Sequence, residues 1–130
     1  MAHDAEEDLT RRIALLAPRV NGDSNLVRRG RQVSLELRLE LGDTPYRVAI
    51  ERGRIAALET EARPMRSYAF AVRGAAAAWR AFWQPVPPPH HHDIFALQKI
   101  GAFRIEGELY PLMANLLYFK AVLAAPRDAA

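Results

Sequence analysis

The sequence predicts an α+β fold: a five-stranded, antiparallel-rich sheet with helices covering one face. Three observations predict it. Residues 32–41 alternate strictly, with Val33, Leu35, Leu37, Leu39 and Leu41 in one phase and Gln32, Ser34, Glu36, Arg38 and Glu40 in the other. That is the pattern of a strand with one dry and one wet face. Shorter alternating runs follow at hairpin spacing, which favours antiparallel neighbours. The later half of the chain then interleaves two apolar helical segments with further strands, as expected when helices cover a sheet on one side.

Taken in order, the first element is an amphipathic helix over residues 4–17. Asp4 is placed to cap it, with Glu7 as the capping-box partner. Leu9, Ile13 and Leu16 share one stripe, and Pro18 marks the end. Asn21-Gly22-Asp23-Ser24-Asn25 is turn chemistry. After the strand at 32–41, Gly42-Asp43-Thr44-Pro45 turns the chain, and Tyr46, Val48 and Ile50 continue the alternation. Arg52-Gly53 turns it again into a third strand over 54–58. Tyr68, Phe70 and Val72 form a fourth, ended by Gly74, and the alanine-rich stretch 75–83 is a helix by propensity. Four prolines stiffen the loop 84–90 by fixing φ. A helical turn is expected over 93–97. A fifth strand runs over 102–106, with Phe103 and Ile105 inward and Arg104 and Glu106 outward. Pro111 suits the first turn of a last helix that extends to Ala125, where Pro126 stops it.

Composition sets the outer bounds. The 130 residues form one domain, 1–130, with 65 apolar side chains of which 23 are alanine, leaving 42 larger ones for a core. Cysteine is absent, which removes disulfides, thiolate zinc sites, iron–sulfur clusters and thiol catalysis. The longest near-apolar stretch, 111–125, holds 15 residues and contains Asn115 and Lys120. A membrane span needs about 20, so no transmembrane segment is expected. The amino-terminal residues lack a basic region followed by an apolar one, so a soluble cytoplasmic protein is expected. The net charge is +3, and 16 of the 18 basic residues are arginine. Arg38, Arg47 and Arg104 sit in the polar phase of strands beside Glu36, Glu40, Glu51 and Glu106, which is a solvated sheet face rather than a nucleic-acid surface. Arg28-Arg29-Gly30-Arg31 is the one basic cluster, and a turn of solvated arginines explains it.

Candidate chemistry is sparse. The last helix carries Leu112, Met113, Leu116, Leu117, Phe119, Val122 and Leu123 with Tyr110 and Tyr118. It is apolar almost all round and must bury more than one face. Against the sheet it makes core; the remaining side needs a second layer, a partner subunit or an apolar ligand. Trp79, Phe82 and Trp83 fall on one helical face after four alanines, Ala75–Ala78. Such a cluster is ordinary core or, with few polar groups around it, the wall of an apolar cavity. His90-His91-His92-Asp93 offers poor metal geometry, because consecutive residues of an extended chain point to alternate sides. No catalytic motif (GxSxG, GxGxxG or a P-loop) occurs, and no nucleophile–base pair is in evidence. No cofactor and no enzyme activity are expected.

Two segments resemble a known family. Phe70-Ala71-Val72-Arg73-Gly74-Ala75-Ala76-Ala77-Ala78-Trp79 resembles the strand–Gly–helix entry of sterol carrier protein type 2 domains, the non-specific lipid-transfer fold. Gly101-Ala102-Phe103-Arg104-Ile105-Glu106-Gly107-Glu108-Leu109 resembles that family's last strand and its closing signature. The likeness extends in coarse order over residues 28–125, and the proline-rich, triple-histidine loop departs from it. The resemblance implies a hydrophobic tunnel that holds a fatty acyl, sterol or isoprenoid/quinone-type lipid without catalysis. Some bacterial relatives are accessory factors in ubiquinone biosynthesis. It implies a tunnel wall of Phe70, Trp79, Phe82, Trp83, Phe103, Ile105, Leu112, Met113, Leu116 and Phe119. The alternative is a protein-interaction module, acting as a homodimer or docking on a partner enzyme, with Leu112, Leu116 and Phe119 in the interface.

Overall fold

A computed structural model describes residues 2–61 and 67–129, with side chains from Glu7 onward. Leu35–Leu41 (β1) lies at the centre of a five-stranded mixed sheet. Thr44–Glu51 (β2) and Arg54–Thr60 (β3) extend it on one side, and Phe70–Gly74 (β4) and Phe103–Gly107 (β5) on the other, in the order β3-β2-β1-β4-β5. Three of the four pairings are antiparallel; β4 lies parallel to β1, with Leu37 opposite Phe70 and Leu39 opposite Val72. The alternation sets which face is dry. Leu37, Leu39, Val48, Ile50, Phe70, Val72 and Phe103 are buried, while Arg104 and Glu51 are exposed. On the wet face Arg47 bonds Glu59 and Glu36, and Arg73 bonds Glu40. The hydrogen bond to Glu59 and then that to Glu36 raise the Arg47 pKa above its ordinary value.

Among the described residues, seven helices cover the dry face: Ala2–Ile13 (α1), Leu16–Asn21 (α2), Ser24–Arg29 (α3), Ala76–Phe82 (α4), Ile94–Lys99 (α5), Leu109–Ala114 (α6) and Leu116–Ala124 (α7). Their boundaries correct the sequence reading in three places. The first helix begins at Ala2, so Asp4 lies within it and not at its cap; the Asp4 side chain is outside the described residues. It breaks at Ala14–Leu15, one turn before Pro18, because proline has no N–H for the Ala14 carbonyl and its ring crowds that position. Pro18 itself stands in the first turn of α2, where no N–H is needed. The expected turn at 21–25 instead starts α3, since the Asp23 carboxylate accepts the Leu26 N–H at 3.1 Å. The third correction is in the last helix. Asn115 leaves the helical conformation, and its side-chain amide donates to the Pro111 carbonyl at 3.0 Å, dividing α6 from α7. The helical turn expected after the histidines is present as α5. The Asp93 carboxylate starts it by accepting the Phe95 and Ala96 N–H groups.

The carboxyl-terminal residues fasten the helical layer. Asp128 accepts from Arg12 at 2.6 Å and Arg19 at 2.7 Å, and Arg127 donates to the Phe82 carbonyl. The hydrogen bond from Arg19, then that from Arg12, holds the Asp128 carboxyl below its ordinary pKa. A depressed pKa contributes stability above the unfolded carboxylate range, which is lost as pH falls through the lowered value. Asp128→Asn is therefore expected to lower Tm at neutral pH by a small, salt-sensitive amount, and the difference from the parent should vanish in acid; thermal unfolding across pH checks this.

Candidate functional site

The predicted wall residues come from four parts of the fold, and the alternation and helical spacing bring most of them together. α4 presents Trp79 and Phe82 inward, followed by Trp83, all at least 98% buried. The sheet contributes Phe70 from β4 and Phe103 and Ile105 from β5, each in the inward phase. Leu112 of α6 and Phe119 of α7 close the group. Trp79 is the hub: its ring lies 4.4 Å from Phe103, 5.1 Å from Trp83 and 6.0 Å from Phe82. Phe119 meets Phe70 edge-on at 5.1 Å. Leu116 is only half-buried. Met113 is 54% exposed and does not join the group. Met113 follows the buried Leu112 by one residue, about 100° round the helix, and is exposed, while Tyr118, Phe119, Val122 and Leu123 of α7 are buried.

The ring polar atoms of this layer are engaged. Trp79 Nε1–H donates to the Glu40 carbonyl at 2.7 Å, and Trp83 Nε1–H to the Leu123 carbonyl at 2.8 Å. The second acceptor stands in the last turn of α7, where carbonyls lack intrahelical donors. Tyr118 is not among the wall residues expected from the sequence, yet it belongs here. Its hydroxyl donates to the Gly53 carbonyl at 2.7 Å, and burial pushes its phenol up to about 12. No spacing rule announces such a residue, because its acceptor is a backbone group 65 positions away.

Two small clefts reach the layer from the side of α1. One, of about 130 Å³, lies between Leu9, Leu41, Tyr46 and Ala76; the other, of about 180 Å³, lies between Arg12, Arg80, Trp83 and Pro85. Both are below the roughly 300 Å³ of an ordinary small-molecule site. A shallow groove of about 550 Å³ lies on the opposite, charged face of the sheet, by Glu36, Arg47 and Arg52. Among the described residues no three His, Asp or Glu side chains gather in metal-binding geometry. In the histidine loop, His91 Nδ1 contacts the Pro89 carbonyl at 2.7 Å and the His92 carbonyl accepts from Arg127. Among the described residues no helix is long and apolar enough to cross a membrane.

No protein-family model and no curated protein matches the chain. Its fold, by contrast, is shared with solved structures. A crystal structure of sterol carrier protein 2 superposes with a TM-score of 0.70, covering 92% of this chain and 96% of that one at 10% identity. A conserved hypothetical protein from Thermus thermophilus gives a TM-score of 0.62 at 9% identity, covering 88% of this chain and 85% of that one. The ubiquinone synthesis protein UbiJ-SCP2 gives 0.57 at 14% identity, covering 88% and 90%. The chain has the sterol carrier protein 2 fold.

Proposed function

We propose that this domain binds a lipid-like apolar ligand between the dry face of the sheet and the layer of α4, α6 and α7, and does no chemistry on it. The observation that carries this reading is the character of that layer. It is lined by aromatic and aliphatic side chains, and the polar atoms of Trp79, Trp83 and Tyr118 are already bonded to backbone carbonyls. A ligand entering there finds nothing to hydrogen-bond and so is selected for being apolar. The fold, shared with sterol carrier proteins, supports the same reading.

The aromatic rings touch one another, so the ligand must part α4 and α7 from the sheet. Transfer from water supplies roughly 0.8 kcal/mol per buried methylene, and ten methylenes amount to about the free energy of micromolar binding. The cost of parting the layer comes out of that sum. Protein purified without detergent is expected to carry lipid, found by organic extraction and mass spectrometry at a stoichiometric fraction of the chain. Repeated extracts free of lipid would count against the proposal. A second reading, association with another chain, rests on Leu109, Tyr110, Met113 and Leu117, which point outward from α6 and α7. Leu112 and Phe119, expected in that interface, are spent in the core.

A further inference from the structure

Two Arg-Gly-Arg turns meet at one end of the sheet. Arg29-Gly30-Arg31 ends α3, and Arg52-Gly53-Arg54 joins β2 to β3. Their glycines touch: a Cβ at Gly53 would lie 2.8 Å from the carbonyl carbon and oxygen of Gly30. The Gly53 N–H also donates to the Val33 carbonyl at 3.0 Å, which locks the two turns together. With Arg28, five arginines gather at this corner, and all five are exposed. Residues 24–35 and 52–58 contain no acid. Elsewhere arginines hold carboxylates: Arg12 and Arg19 that of Asp128, Arg47 those of Glu36 and Glu59. Among the described residues no ion pair includes Arg28, Arg29, Arg31, Arg52 or Arg54, and Glu51, which precedes the second turn, is bonded to none of them. Like charges fixed side by side repel, and an anionic partner would relieve that repulsion.

The neighbouring side chains choose the partner. Tyr118 packs against Gly30 and bonds the Gly53 carbonyl, so α7 reaches the same corner. Leu117, next to it, is 66% exposed. β5 ends at Gly107, level with Phe70 and Leu37, at the same end of the sheet where β2 turns into β3. The exposed Leu109 and Tyr110 follow there. Unpaired arginines with exposed apolar side chains suit a bilayer surface, where guanidiniums meet headgroup phosphates and apolar side chains enter the acyl boundary. A nucleic-acid surface interleaves its basic residues with aromatic rings for stacking. Neither arginine turn contains an aromatic residue. We infer that the end of the sheet carrying the two Arg-Gly-Arg turns docks on an anionic phospholipid surface. Docking of this kind needs no cavity and does not rest on the ligand reading.

Co-sedimentation with vesicles tests it. Vesicles of mixed phosphatidylcholine and phosphatidylglycerol are expected to retain the parent chain at low salt, and vesicles of phosphatidylcholine alone are not. Retention should fall steeply as salt is added. R29Q/R31Q and R52Q/R54Q, each confirmed folded by circular dichroism, should each bind about tenfold more weakly. R11Q/R80Q removes the same charge from exposed arginines of α1 and α4, toward the opposite end of the sheet where Gly42 meets Ala76. It should change binding by less than about twofold. In the parent, anionic vesicles should slow hydrogen exchange at residues 28–31 and 52–54, a readout that needs no variant. Fatty-acid titrations should be alike in the parent and all variants, so this result is read separately from that of the ligand proposal. A parent that ignores anionic vesicles, that binds neutral ones equally well, or that is retained by duplex DNA or RNA instead would overturn the inference. So would a loss in R11Q/R80Q as large as that in the two turn variants.

Discussion

Trp79→Ala is expected to destabilise the protein by about 3–5 kcal/mol, the range for deleting a large buried aromatic side chain. The indole is fully buried, touches Phe103, Trp83 and Phe82, and ties α4 to β1 through the Glu40 carbonyl. Its removal leaves a void that neighbouring rings fill poorly, and it strands a carbonyl. In thermal unfolding the loss should read as a Tm fall of roughly 10–20 °C for a chain of this size. Trp79→Phe keeps part of the ring contact but loses the donor and one of the two fused rings, so it should cost about 1–3 kcal/mol. Met113→Ala supplies the contrast. Its side chain faces solvent, and the change should stay within about 0.5 kcal/mol. A Met113 effect as large as that of Trp79 would contradict its place outside the core.

Gly30→Ala should cost almost as much, from a single methyl group. A Cβ at Gly30 would lie 2.2 Å from Tyr118 Cε1 and 2.6 Å from Cδ1 and Cζ. The ring cannot simply swing aside, because its hydroxyl is bonded to the Gly53 carbonyl in a buried site. Gly53 is itself confined: its φ is +83°, and a Cβ there would meet the Val27 carbonyl oxygen at 2.5 Å. Overpacking costs about 1–3 kcal/mol and a stranded buried polar group about 1–3 more. The expected loss is thus about 2–6 kcal/mol in denaturant unfolding. Because one ring is the common element, Gly30→Ala and Tyr118→Ala should be markedly non-additive. The same tyrosine sets an alkaline limit. Its pKa is raised by burial from 10.0 to about 12, so its contribution to stability is complete below pH 10.0 and declines as pH rises toward about 12.

Local structure is readable in the sequence where one period dominates. Leu37, Leu39 and Leu41 alternate so regularly that both the strand and its dry face follow from the sequence. The pair Phe103 and Ile105 is readable for the same reason. What escapes depends on partners distant in the chain or on a local bond that outcompetes a pattern. The parallel contact of β1 with β4 joins segments more than 30 residues apart, and nothing in either strand declares it. Asn115 sits inside a continuous apolar run, yet its amide takes the Pro111 carbonyl and breaks the helix. Met113, about 100° round the helix from the buried Leu112, lies on the surface and not in the expected wall. Tyr118 carries a joint among α3, the β2–β3 turn and α7 whose two glycines are recognisable only once they meet.

An apolar ligand that enters the layer of α4, α6 and α7 must meet Trp79 and Trp83, the only tryptophans in the chain. Delipidated protein titrated with a long-chain fatty acid, followed by tryptophan emission, tests it most directly. A saturable change at about one ligand per chain with micromolar affinity is expected, with parallel displacement of a fluorescent fatty acid. Tryptophan emission that stays constant through the titration, with no displacement of the probe, would contradict it.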